Sequence, residues 1–211
     1  MMGKSPTPPH HFAVRITAQR QLLPFSDISK SGKYQVSSMI LKMVELFDVV
    51  DENDKVVDRR PGRECLDRGL LHRAVVVFLT NPRGEVYMQK RSSDSRFHPG
   101  HWTASCTGHV SAGETYLEGA EREVKEELGV ECELRELGKF MTPKWEIENG
   151  IDWEFITVYE GTSSSRITLS DESEDGKFVS TTEFKRLVAT QPEVLTPDLI
   201  LAIKYYPRLS R

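Results

Sequence analysis

Two hydrophobic rhythms divide this chain. Residues 45–58, ELFDVVDENDKVVD, alternate apolar and polar positions in two short runs about an Asp-Glu-Asn-Asp turn, which predicts two short strands. HRAVVVFLTNPRGEVYMQKR follows and predicts two strong strands joined by the Asn81-Pro82-Arg83-Gly84 turn. Residues 102–107 read as another strand, feeding a glycine-containing loop. The period then changes. Leu117, Ala120, Val124 and Leu128 recur at steps of three and four, one buried stripe of a helix. Thr115 followed by Glu118 forms a T-x-x-E capping box, so this helix should begin at about Tyr116, and Gly129 supplies its stop. Strand-like stretches recur near 136–142, 153–160 and 166–169, the last expected to pair with residues 177–180. Helices at about 182–190 and 196–206 close the chain. Strands alternating with a few helices, without βαβ regularity, predict an α/β fold with a mixed sheet between helical layers.

Composition narrows the function classes. The 211 residues suffice for one domain with a sizeable core, and 38% hydrophobic and 28% charged residues suit a globular protein. No apolar run approaches the ~20 residues that span a bilayer, so no membrane partner is expected. The formal net charge of −4 hides an asymmetry. Residues 1–38 carry Lys4, Arg15, Arg20, Lys30 and Lys33 against Asp27 alone, which leaves the remainder markedly acidic and unsuited to nonspecific grip on a nucleic acid polymer. The same segment is rich in proline and serine and is expected to be a disordered basic leader, with the domain proper at 39–211. Phe12, Ile16 and Leu23 beside Arg15 and Arg20 also fit an organelle-matrix presequence, and an upstream start codon ahead of Met39 is a third reading. Cys65, Cys106 and Cys132 are odd in number and widely spaced, which points to a reducing compartment, most simply the cytoplasm. A homodimer stays open.

The charges on the central helix carry the chemistry. Glu123, Glu126 and Glu127 fall within an arc of roughly 100° beside the apolar stripe. Carboxylates so close repel one another unless a cation sits among them, and Arg122 offsets only part of that charge. Hard divalent ions, Mg²⁺ or Mn²⁺, take oxygen ligands and bind phosphates at the same time. A solvated acidic face held by Glu118–Arg122 and Glu121–Lys125 pairs is the plainer alternative. The loop over residues 108–113 tips the balance, because its glycines let backbone approach a metal or a phosphate closely. The acidic run DESEDG at 171–176 lacks the ligand periodicity of a calcium loop and reads as a solvated turn.

Written as a pattern, residues 108–130 are G-x5-E-x7-R-E-U-x-E-E-x-G-U with U aliphatic, filled by Gly108, Glu114, Arg122, Glu123, Val124, Glu126, Glu127, Gly129 and Val130. At average residue frequencies a chance match has a probability on the order of 10⁻⁹ per starting position. The stretch resembles the signature of the Nudix hydrolases, enzymes that cleave a nucleoside diphosphate, or another diphosphate, linked to a group X. That resemblance implies a Nudix-type αβα sandwich and a Mg²⁺ (or Mn²⁺) cofactor. It implies Glu123 and Glu127 as metal ligands, the Gly108 carbonyl and Glu126 as further ligands, and a structural Glu114–Arg122 pair.

Beyond the signature, VVDENDKVVDRR, RGLLHRAVVVFL and QKRSSDSRFHPGHWTASCTGH resemble the Nudix subgroup related to isopentenyl-diphosphate isomerase, over roughly residues 43–206. In the isomerases a cysteine immediately precedes the pair matching Gly108-His109. Here Thr107 stands there, and Cys106, one residue earlier, should face the other side of the strand. Cys65 occupies a position where the isomerases place a metal-binding histidine. His72 and His109 match isomerase metal ligands, and in a hydrolase they are expected as hydrogen-bonded core or rim residues. Asp152 and Glu154 match an acid pair whose members should face one side. Arg91 and Arg96 match diphosphate contacts, for which arginine forks suit phosphate oxygens. The expected activity is Mg²⁺-dependent hydrolysis of a small-molecule diphosphate, with Glu126 or Glu154 taking the water's proton. Isomerisation of an allylic diphosphate and a non-catalytic diphosphate sensor are the alternatives.

Overall fold

An apolar run such as HRAVVVFLT cannot leave either face in water, and it becomes the central strand of a sheet covered on both sides. The computed structural model describes residues 44–147 and 150–209, so the leader expected over residues 1–38 lies outside the described residues. A hairpin of β1 (Leu46–Val50) and β2 (Val56–Pro61) leads into a short helix α1 (Gly62–Arg68). Strands β3 (His72–Thr80), β4 (Val86–Arg91), β5 (Trp102–Thr103) and β6 (Cys106–His109) precede helix α2 (Tyr116–Leu128). Then come β7 (Leu134–Met141), a small hairpin of β8 (Trp145–Ile147) and β9 (Gly150–Asp152), β10 (Glu154–Thr162) and β11 (Ser173–Val179). Helices α3 (Thr181–Thr190) and α4 (Pro197–Ala202) close the order.

The main sheet runs β11-β4-β3-β10-β7, with β5 paired to β4 and β6 to β3. Only β3 and β10 run parallel, which makes the sheet mixed as expected. Alternate residues of β3 serve opposite layers. Val75, Val77 and Leu79 pack with Ala120, Val124 and Leu128 of α2. Ala74, Val76 and Phe78 pack with Phe184 and Leu187 of α3 and with Leu199, Ala202 and Tyr206 beyond it. The αβα sandwich is therefore present. At ~25 cal/mol per Å² of apolar surface, each such buried leucine, valine or phenylalanine contributes about 1.5–3 kcal/mol before entropy is charged against it.

The structure corrects four local expectations. Residues 166–169 form no strand, and the partner of 177–179 is β4. Ile167 and Leu169 instead pack on the α2 layer, while Thr168 and Ser170 donate backbone bonds of 2.9 and 3.0 Å to the Leu128 and Glu127 carbonyls. Their alternation therefore caps a helix end. The acidic run 171–176 is no free turn either, since β11 begins at Ser173 and Glu174 pairs with Lys90 at 2.7 Å. The strand expected over 102–107 breaks at Ala104-Ser105. Buried Ser105 spans the gap between β3 and β4, its Oγ accepting from Leu79 N (2.7 Å) and donating to Tyr87 O (2.6 Å). Finally, β3 and β4 pair only next to their turn, at Thr80 and Val86, because β5 and β6 wedge between them.

Candidate active site

The local signals of the signature hold in three dimensions. Helix α2 starts at Tyr116 with a reciprocal cap: Glu118 N donates to Thr115 Oγ1 (3.2 Å) and Thr115 N donates to Glu118 Oε2 (2.8 Å). It stops at Gly129, which is left-handed at φ 66. Arg122 donates to both oxygens of Glu114 (2.9 and 3.0 Å), to Glu123 (2.8 Å) and to the His109 carbonyl (2.9 Å). This fork ties the helix to the loop that precedes it. Glu123 lies against the backbone of Gly108, where a Cβ would stand 2.2 Å from the Glu123 Cδ. Any side chain there would push the Glu123 carboxyl aside. Glu127, one turn on, is buried and accepts from Gln89 Nε2 at 2.6 Å. Glu126 departs from the group: its side chain is 63% exposed and reaches back to Arg122 at 3.2 Å.

A second cluster is built from three separate elements. Parallel pairing of β3 and β10 sets Glu154 beside His72, and antiparallel pairing of β6 with β3 sets His109 opposite Ala74. One ligand atom from each of His72, His109 and Glu154 lies within 4.8 Å of the others. Phe47 of β1 stacks on both imidazoles, at centroid distances of 5.2 and 4.6 Å. The hairpin that carries Phe47 is pinned to the site loop, where Gly113 N donates to Asp48 (2.9 Å) and Ala112 N donates to the Leu46 carbonyl (2.7 Å). At its turn, Asp54 receives Arg73 (2.7 Å), Lys139 (2.6 Å) and Tyr116 (3.0 Å), and so joins the hairpin to β3, β7 and the start of α2.

Burial sets the protonation of both clusters. Burial, reinforced by the Glu123 charge, pushes Glu127 up to about 8. Burial raises Glu123 to about 7 against the pull of Arg122. In the second cluster burial drops His72 to about 4, so its ring is neutral. Its Nδ1 faces the Leu70 carbonyl at 2.8 Å and must donate to it, which leaves Nε2 as a bare lone pair 3.7 Å from a Glu154 oxygen. That nitrogen has no hydrogen-bond partner, nor does Asp152 Oδ1 nearby. Burial would raise Glu154, but the hydrogen bond and charge of His109 hold it below the usual carboxylate range. Asp152 is pushed up to about 8 by burial and by the Glu154 charge. Oxygen donors at Glu123, Glu127 and Gly108 suit a hard divalent ion. Two imidazoles and a carboxylate suit a borderline one, and the carbonyl behind His72 fixes its tautomer for that role.

Both clusters face one cavity of about 520 Å³, lined in part by Arg91, Arg96, Thr107, Gly108, Glu123 and Glu154. Of the residues expected from sequence, Arg91, Arg96, Gly108, His109, Glu123, Asp152 and Glu154 meet here, Glu127 stands buried behind Glu123, and Glu126 does not line the cavity. Arg91 is held by the Phe97 carbonyl (2.8 Å) and reaches Thr107 Oγ1 at 3.4 Å, while Arg96 pairs with Asp67 at 3.0 Å. Strand alternation is also as expected: Thr107 faces the cavity and Cys106 is buried in the α2 layer. Sequence reasoning missed Asp198, a further acid in the wall, because nothing in a short LTPDLI segment marks it as functional.

Residues 70–199 match the family model of the NUDIX domain. The chain belongs to the Nudix family. Among Nudix relatives, an isopentenyl-diphosphate Delta-isomerase 2 of Photorhabdus laumondii is 30% identical over 155 residues, 73% of this chain and 88% of that protein. An uncharacterized Nudix hydrolase of Listeria monocytogenes is 34% identical over 146 residues, 68% of this chain and 85% of that one. The crystal structure of DR0079 from Deinococcus radiodurans superposes with a TM-score of 0.64 at 27% identity, covering 77% of this chain and 99% of that one. The Nudix fold and signature together make this protein a Nudix hydrolase, of a family that acts on diphosphate-containing compounds and uses divalent metals. No helix among the described residues is long and apolar enough to cross a membrane.

Proposed function

We propose that this protein hydrolyses the diphosphate linkage of a small molecule in a Mg²⁺-dependent reaction. The observation that carries the reading is Glu123 set against Gly108, backed by buried Glu127, in the same cavity as Arg91 and Arg96. Glu123, Glu127 and the Gly108 carbonyl would hold the ion. When bound, it supplies positive charge that offsets the diphosphate and makes a water a better nucleophile. Arg91 and Arg96 bind phosphate oxygens and stabilise the departing phosphate. The water oxygen bonds to one phosphorus, the bridging P–O bond breaks, and the water's proton passes to a carboxylate. Of Glu126 and Glu154, the second suits that step, because it lines the cavity and His109 keeps it ionised. A phosphate-release screen over nucleoside, sugar and isoprenoid diphosphates with Mg²⁺ and Mn²⁺ tests the reading. Release that depends on metal and on Glu123 supports it, and a flat panel of compounds sinks it.

A second reading is favoured by one observation, the bare Nε2 of His72 aimed at Glu154 and flanked by His109. That cluster could hold the metal of an isomerase. Thr107 argues against it, since it faces the cavity where the isomerases place a cysteine, and burial raises the Cys106 thiol on the opposite face. Isopentenyl diphosphate incubated with the protein in heavy water is expected to yield no deuterated dimethylallyl diphosphate. Rapid label incorporation would reverse the order of the two readings.

A further inference from the structure

The catalytic cavity shares two wall residues, His98 and Trp145, with a second cavity of about 460 Å³. Their chemistries are opposite. The first holds the arginines and most of the acids. The second is walled by Pro143, Trp145, Pro192, Leu195, Ile200 and Leu201, with no lysine or arginine among its lining residues. A phosphate would find no counter-charge there, whereas a ring or hydrocarbon surface would replace water against apolar walls.

The wall between the two cavities is firmly placed. Thr196, just before α4, donates its N–H to the Trp102 carbonyl (3.0 Å) and its hydroxyl to Thr103 Oγ1 (3.0 Å). On the other side His98 holds φ 45, a left-handed conformation that a non-glycine residue adopts at a cost of about 1–2 kcal/mol. Its carbonyl accepts from His101 N (3.1 Å), and the two rings meet edge to face at 5.7 Å. Strain of this kind persists where surrounding structure holds it, and it concentrates at ligand sites.

Asp198 stands at the seam. It lines the first cavity while Pro197 beside it lines the second. A carboxyl group that faces a cavity must find hydrogen-bond partners there. Its carboxyl lies beside the Thr196 side chain and within electrostatic reach of Arg91 and Glu154, and burial pushes it above the usual carboxylate range. A substrate that sets bare CH groups against it would strip its water and return nothing, whereas a hydroxyl or amino group would satisfy it.

We propose that the second cavity is the subsite for the substrate's X group, and that Asp198 selects an X with a hydroxyl or amino donor next to the diphosphate and an aromatic or apolar body beyond it. This inference rests on the hydrolase reading for the position of the diphosphate. Cytidine diphosphate and geranyl diphosphate provide the contrast: both carry an apolar or aromatic body, and only the first has donors. The expected kcat/KM ratio favours cytidine diphosphate by about 10²-fold or more, as for sites built to bond a substrate donor. Asp198→Leu should collapse that ratio by at least about 30-fold, with Asp198→Asn between the two. A wild-type preference for geranyl diphosphate, or a ratio unchanged in both variants, overturns the selection.

Binding is read separately from turnover. In Glu127→Gln with Mg²⁺, cytidine diphosphate should quench tryptophan emission saturably, and Trp145→Phe on that background should abolish the signal. Saturable quenching without phosphate release in the wild type would keep the subsite and sink the hydrolase reading. Phosphate release without Trp145-dependent quenching would do the reverse.

Discussion

At the scale of single residues, the site depends on charges held where water would not leave them. Glu127 sits buried beside Glu123, and both are raised above the usual carboxylate range. Glu127→Gln keeps the side chain's size and its contact with Gln89 while removing the carboxylate that a metal would bind. Turnover should fall by about two orders of magnitude or more, the few kcal/mol that a metal-binding charge supplies. The melting temperature at neutral pH should change little, because burial already favours the uncharged form of Glu127. Wild-type-like turnover in that variant would move the metal away from α2. A paired test separates the two proton-acceptor candidates. Glu154→Gln is expected to lose about 10²-fold or more in rate at every Mg²⁺ concentration, because a base is needed as the water attacks. Glu126→Gln, altering an exposed side chain tied to Arg122, is expected to cost only a few-fold, restored by excess metal. Equal losses in the two variants would contradict the assignment. Glu123 and Glu127 could be singled out from their spacing on one helix. His72, His109 and Glu154 could not, for they come from three strands, and only the family resemblance brought them together.

At the scale of elements, legibility followed the range of the interactions. The start of α2 at Tyr116 was readable because a capping box is made within four residues. The stretch 166–169 was misread because alternation reports which side of a segment is buried, not what covers it. Helix α1 offered only Cys65 and Leu66 as buried apolar residues in its single short run, and the β8–β9 hairpin is shorter still. The β1–β2 hairpin was legible as strands, but its purpose was not. It lies outside residues 70–199, yet it supplies Phe47 to both imidazoles and Asp48 to the site loop. A chain shortened to begin at Met39 should therefore keep its full rate and melt within a few degrees of the intact protein. One beginning at Leu70 should lose most of its activity and melt at least about 10 °C lower. Thermal melts and phosphate release on the two truncated chains check this, and comparable behaviour would deny the hairpin any part in the site.

At the scale of the whole molecule, the acids make stability depend on pH and metal together. Glu123 near 7 and Glu127 and Asp152 near 8 stand above their ordinary values of 4.5 and 3.8, so the folded state holds protons that the unfolded chain releases. Their stabilisation is complete below about pH 4 and is lost as pH rises through 7 to 8. Without divalent metal, the melting temperature should fall by several degrees between pH 6 and pH 9. Saturating Mg²⁺ competes with those protons and should flatten or reverse the trend. Identical slopes with chelator and with Mg²⁺ would mean that no ion occupies this cluster. The parallel seam of β3 and β10 adds a temporal dimension. His72 opens one strand and Glu154 opens the other, and each lies at Cα register with its partner across a long excursion of chain. Parallel pairing of distant segments is slow, because loop closure precedes any reward. As the chain leaves the ribosome, β3, β6 and α2 exist before β10 does. The glutamates of α2 therefore wait beside an unfinished sheet edge, and the site gains Glu154 only once β10 has been made and has docked on β3.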